Sequence, residues 1–250
     1  MASILDRYGI KEVADVVFYE INADGTPGAP VLVLDTLKVS TIEQTAESTD
    51  ARGGKGNAIL SSWDYGKEIN VTLEYALFSP KSMALMFGGG KISNAETTIV
   101  KTIQFVATVA GSAGAPTAWT DPKGNEQLIV APEYFDANGA EVEAAEIEKG
   151  KTYFAKFEFA AEAPRTISVA ADTYPGTYYV CGDTFSRSEA TGKDEMFQFI
   201  IPKAKVTSEN SITLEAEGDP SVFSLSLSVL RPADGQMMKL VSYDVAEPTP

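Results

Sequence analysis

The chain has 250 residues, 44% of them hydrophobic, and a formal net charge of −15. That length can bury one large or two small cores, and the negative charge excludes a protein that grips nucleic acid through Lys and Arg on phosphate. There is no histidine, so the usual general base and imidazole metal ligand are missing; the single cysteine, Cys181, excludes an internal disulfide and fits a reducing cytoplasm.

Taken in chain order, residues 3–8 predict a short helix stopped by Gly9. No basic region followed by a long apolar run stands near the N-terminus, and no apolar run reaches roughly 18 residues, so neither a signal peptide nor membrane insertion is expected. Residues 16–21 are β-branched and aromatic and predict a strand. Asn22-Ala-Asp-Gly25 has turn chemistry, a loop through 26–30 follows, and 31–39 predict the return strand of a hairpin.

Asp50-Ala-Arg-Gly-Gly-Lys-Gly-Asn57 reads as a charged, glycine-rich mobile connection. It is no phosphate loop, because Lys55 is followed by Gly56 and Asn57 rather than by Ser or Thr at a helix start. Asp50, Arg52 and Lys55 suit an interface arm whose cations meet carboxylates on a neighbour, or else a solvated hairpin tip. Trp63 and Tyr65, flanking Asp64, suit either interface anchors or core residues closing a sheet end. Residues 68–74 alternate: Ile69, Val71 and Leu73 on one face, Glu68, Asn70, Thr72 and Glu74 on the other.

Ser79-Pro80 starts a helix, Met83, Leu85, Met86 and Phe87 give it an apolar body, and Gly88-Gly-Gly90 ends it. Further strands are expected over 97–110, 128–135, 141–147, 152–159, 166–171, 178–183, 196–201, 206–216, 222–230 and 237–243, with a loop at 111–116 and a frayed tail at 246–250. Trp119, between Pro116 and Pro122, reads as a loop residue in a surface contact or a small satellite core. In 222–230, serines alternate with Phe223, Leu225, Leu227 and Val229, so one face packs and the other is wet. Many short strands predict an antiparallel sandwich or open barrel. The glutamates at 141, 143, 146, 148, 215 and 217 form no recognisable catalytic pair, and neither Asp-Asn turn completes a calcium loop, so no catalytic, cofactor or metal site is assigned.

Residues 49–87 as a whole, Tyr174-Pro-Gly-Thr-Tyr-Tyr179, Gly182-Asp-Thr-Phe-Ser-Arg187, Gly192-Lys-Asp-Glu-Met-Phe-Gln-Phe-Ile-Ile-Pro-Lys203, the segment 214–223 and Val229-Leu-Arg-Pro232 together resemble the major tail tube proteins of tailed bacteriophages. The resemblance covers most of the chain and lies in overall pattern. It implies one tail-tube domain over 1–250, with an outward decoration or insertion within about 111–164. It further implies a mainly β fold with one short packed helix, whose subunits join into a continuous barrel of stacked hexameric rings in the phage virion. The expected partners are further copies of the chain, a tape measure protein and other tail proteins, with DNA passing through an acidic lumen. In this reading the long loop 40–60 reaches a neighbouring subunit or ring, and Glu68, Asn70, Thr72 and Glu74 face the lumen. The runner-up readings are an Ig-like virion decoration or host-surface binding module, and an acidic-site hydrolase.

Overall fold

The computed structural model describes residues 7–10, 12–87, 91–207 and 222–244. In chain order the strands are β1 (Tyr8–Ile10), β2 (Asp15–Ile21), β3 (Pro27–Leu34), β4 (Leu37–Gly53) and β5 (Ala58–Tyr75), followed by α1 (Pro80–Phe87). Then come β6 (Thr98–Val106), β7 (Ala118–Thr120), β8 (Glu126–Leu128), β9 (Glu133–Asp136), β10 (Glu141–Val142) and β11 (Thr152–Ala160). The chain continues with β12 (Thr177–Ser188), β13 (Asp194–Val206), β14 (Phe223–Val229) and β15 (Lys239–Tyr243). The fold is mainly β and antiparallel with one α-helix among the described residues, as the sequence pattern predicts. The chain divides into two compact units, residues 1–92 with 167–250 and residues 93–166.

The first unit is built on one nine-stranded sheet in the order β3-β2-β12-β13-β14-β5-β4, with β1 on β12 and β15 on β13. Period-two patterning sends Val16, Phe18, Leu32, Leu34, Ile69, Val71, Leu73, Val180, Ile201, Leu225 and Leu227 into one buried cluster. Fully burying each such side chain contributes about 1.5–3 kcal/mol. Helix α1 adds Leu85 and Met86 to the same cluster. Its start is fixed by two serines: the Ser82 N–H donates to Ser79 Oγ at 3.0 Å and the Ser79 N–H donates to Ser82 Oγ at 3.0 Å. The Tyr75 hydroxyl donates to Met86 Sδ at 3.0 Å, and burial pushes that phenol above its ordinary pKa. Gly182 pairs with Phe199, and a Cβ there would stand 2.2 Å from the phenyl ring, so the ring packs directly on bare backbone.

The second unit holds a four-stranded sheet, β10-β9-β11-β6, and the ribbon β7-β8. Tyr134, Ile147, Tyr153 and Ala155 form its core. Trp119 sits in β7 rather than in a loop, and its ring packs 5.6 Å from Phe159 and 6.2 Å from Phe157, with Lys101 Nζ 4.3 Å from the ring centre. The turns at Asp121 and Asp136 use their own carboxylates. Backbone N–H groups donate to both, which holds the two acids below their ordinary pKa.

Several sequence expectations need correction. Residues 40–60 are no long loop: they belong mostly to β4 and β5, and only Gly54, Lys55, Gly56 and Asn57 turn between them. Their strands escaped notice because neither face is buried, so no apolar alternation marks them. The return strand at 31–39 is broken by Asp35 and Thr36, which separate β3 from β4, and β3 already begins at Pro27. Residues 166–171 form no strand, only a bridge between Thr166 and Ser93. The strands expected over 128–135 and 141–147 shrink to β9 and β10, the latter followed by a 3-10 turn at Ala144–Glu146. Tyr8 opens β1 instead of ending a helix. The helix stop at 88–90, the tail at 246–250, Glu215, Glu217 and residues 208–216 of the expected strand lie outside the described residues, as does the expected helix at 3–6.

Candidate assembly interface

Strands β4 and β5 pair from Leu37 with Tyr75 out to Gly53 with Ala58. Only the root of this pair covers the core. Ile69, Val71, Leu73 and Tyr75 are buried, whereas every residue of 41–50 and 58–68 is exposed. The outer part is thus a two-stranded ribbon with solvent on both faces. Its turn is made possible by Gly54 (φ +77°) and Gly56 (φ +88°), with Asn57 also left-handed at φ +49°.

Asp50 and Arg52 lie in β4, beside that turn, and Lys55 lies in it. The Arg52 guanidinium donates to Asp50 Oδ2 at 3.0 Å, so these two charges already meet within the chain. Trp63 and Tyr65 are 56% and 53% exposed, and with Ile59 and Leu60 they line the ribbon with large apolar side chains that close no core of the single chain. A β-bulge lies beneath them: Thr45 pairs with Glu68 and Glu47 with Tyr65, giving β5 one extra residue at Gly66, which has φ +62°. That residue exchanges the two faces of the strand. Strict alternation would place Trp63 and Tyr65 with Ile69 and Val71; the bulge places them on the side of Glu68, Asn70, Thr72 and Glu74. Sequence reasoning had no signal for this except the glycine itself.

The polar face of the sheet follows from cross-strand register. Glu43, Asn70, Ser228, Lys205 and Thr177 stand in one row, and Thr41, Thr72 and Ser226 in the next. Asn70, Thr72, Lys205, Ser226 and Ser228 line a shallow cleft of about 660 Å³. Lys205 and Glu43 are charges of this face that inspection of 68–74 missed; they emerge only from the pairing of distant strands. Cys181, on β12, is half-buried, and burial raises its thiol pKa, as suits a packing residue rather than a nucleophile.

No group of three or more Cys, Asp or Glu side chains that could hold a metal ion occurs among the described residues. No described helix is long and apolar enough to cross a membrane. A profile of the YomU/Tube protein family matches residues 8–242. The chain belongs to that family. Membership bears out the resemblance to tail tube proteins and agrees with a structural rather than an enzymatic role. No curated protein matches the chain.

Proposed function

We propose that this tube-family protein is the structural subunit of a phage tail tube, built of stacked hexameric rings around an acidic lumen through which DNA passes into the host. The observation that carries the reading is the outer β4–β5 ribbon. A lone two-stranded ribbon is marginal in water, and long unpaired edges invite pairing with another chain. In a family of tube proteins the natural cover for such a ribbon is a further copy of the subunit. Asp50, Arg52, Lys55, Trp63 and Tyr65 are then contact residues between subunits or rings. Glu68, Asn70, Thr72 and Glu74, opposite the buried Ile69, Val71 and Leu73, face the channel. Glu43 joins them, and Lys205 offsets part of their charge. A low-dielectric wall carrying a repeated band of carboxylates repels phosphate and keeps DNA from sticking. Residues 93–166 are proposed as the decoration or insertion of one tail-tube domain, wider than the span 111–164 that sequence suggests. A tape measure protein sets tube length in this reading.

Negative-stain microscopy with sedimentation velocity tests it. Rings or hollow tubes of one diameter at high protein concentration are expected. A stable monomer at every concentration, alone and with the other tail proteins, would refute the tube.

A further inference from the structure

Near the root of the ribbon the first unit has an apolar groove of about 320 Å³, lined by Ile10, Val13, Val39, Ile42, Phe197 and Phe199. A groove of that volume is large enough to admit an aromatic ring. Ile10, Val13, Val39 and Ile42 are all more than a third exposed. Ser40 Oγ, in the same wall, is buried with no hydrogen-bond partner among the described residues. Buried polar groups are ordinarily satisfied, so this wall has a place for a further hydrogen-bonding group.

From these observations we infer that the groove receives the Trp63–Tyr65 face of the ribbon of a second copy of this chain. The inference rests on the self-assembly proposed above and specifies its contact. Three facts select the occupant. A chain of net charge −15 repels its own copies at long range, so what holds them acts at short range, as exposed apolar surface does. The ribbon supplies such a surface in Trp63 and Tyr65, which share one face of β5. The ribbon also cannot serve its own groove: Trp63 pairs with Thr49, seven residues beyond Ile42 along β4, about 23 Å away at ~3.3 Å per residue, as long as β4 and β5 stay paired. The groove mouth carries Glu12 and Lys38, and the ribbon beside its aromatic residues carries Lys67 and Glu47, so opposite charges are at hand at the rim. Made in one direction only, root-to-ribbon contact is head-to-tail, and repeated with a fixed rotation it closes a ring or propagates a helix; a reciprocal exchange of ribbons would instead close a dimer.

The test is photo-crosslinking from Trp63→p-benzoylphenylalanine, which keeps an aromatic ring in place, in an assembly of mixed isotopically heavy and light subunits. Heavy–light crosslinks from position 63 to residues 10–14, 38–42 or 197–199 are expected. In a Val39→Glu background those crosslinks should vanish, and the concentration needed for assembly should rise at least tenfold, while circular dichroism of the monomer is unchanged. Crosslinks within one chain, or heavy–light crosslinks elsewhere in tubes that microscopy shows to be intact, would overturn the docking and leave the tube standing. A protein that neither assembles nor crosslinks between copies would overturn both.

Discussion

Strands β4 and β5 change character half-way along. At the root, Ile69, Val71, Leu73 and Tyr75 are buried against Leu225, Leu227, Phe223 and α1; beyond Glu68 the same two strands run on with every residue of 58–68 exposed. Backbone pairing is continuous apart from its bulges, so hydrogen bonding does not distinguish the halves. What differs is the partner beneath. The root has its apolar layer within the chain, and the ribbon displays apolar side chains that no described residue covers. One half therefore carries folding energy, and the other carries contact surface in the assembly proposed above.

The largest effect should come from breaking the root. Leu73→Ala removes a fully buried side chain from the centre of the cluster and should lower monomer stability by about 2–5 kcal/mol in urea unfolding. Trp63→Ala, on the same strand but more than half exposed, should change it by no more than about 0.5 kcal/mol. Equal losses from the two would erase the distinction between root and ribbon.

Next comes the charge at the ribbon's end. Arg52→Glu sets a second carboxylate beside Asp50. In the free monomer the exposed pair is worth only about 0–1 kcal/mol, so the fold should persist. In an interface, like charges in contact cost several kcal/mol, so polymerisation should fail or demand far higher protein concentration. Tubes of normal length from this variant would return the tip to the solvent.

Legibility in the sequence divides along the same line. The root strand at 68–74, the helix from Pro80 to Phe87, and the alternation of 222–230 could be read because burial on one side imposes a period. The ribbon could not. Thr41-Ile42-Glu43-Gln44-Thr45 has strand-forming residues, but with every one of them exposed nothing forces polar and apolar side chains to alternate, and the segment reads as a loop. Trp63 and Tyr65 stood out as aromatics, yet their face depended on Gly66, a single residue whose bulge has no periodic signature. Lys205 and Glu43 joined the polar face through strand order, which local pattern does not encode.

A weaker perturbation concerns the polar face at the junction of the two halves. Glu68→Lys with Glu74→Lys reverses two charges per subunit on the side opposite Ile69, Val71 and Leu73. Both glutamates lie outside the core, so tubes should still assemble. If that face lines the channel, these tubes should retain DNA, with binding that falls steeply as salt rises, as phosphate contacts require. Tubes that bind no DNA at low salt would place the glutamates elsewhere.

The finest test is at Gly66, where root gives way to ribbon. Its φ of +62° suits glycine, is tolerated by asparagine, and is strained by roughly 1–2 kcal/mol for other side chains, worst for β-branched ones. A Cβ there meets only Glu47 Cγ at 4.0 Å, so any cost is conformational rather than steric. If the ribbon opens independently of the core, that strain should not reach the global unfolding midpoint. It should instead open the ribbon: amide exchange at 47–52 and 59–65 should quicken about 5–30-fold in Gly66→Val, and less in Gly66→Asn. Amides of Val71 and Leu73 should exchange as before. A Gly66→Val protein whose global stability fell with no selective loss of protection in the ribbon would mean that the two halves fold as one unit, and that the outer strands owe their order to the core after all.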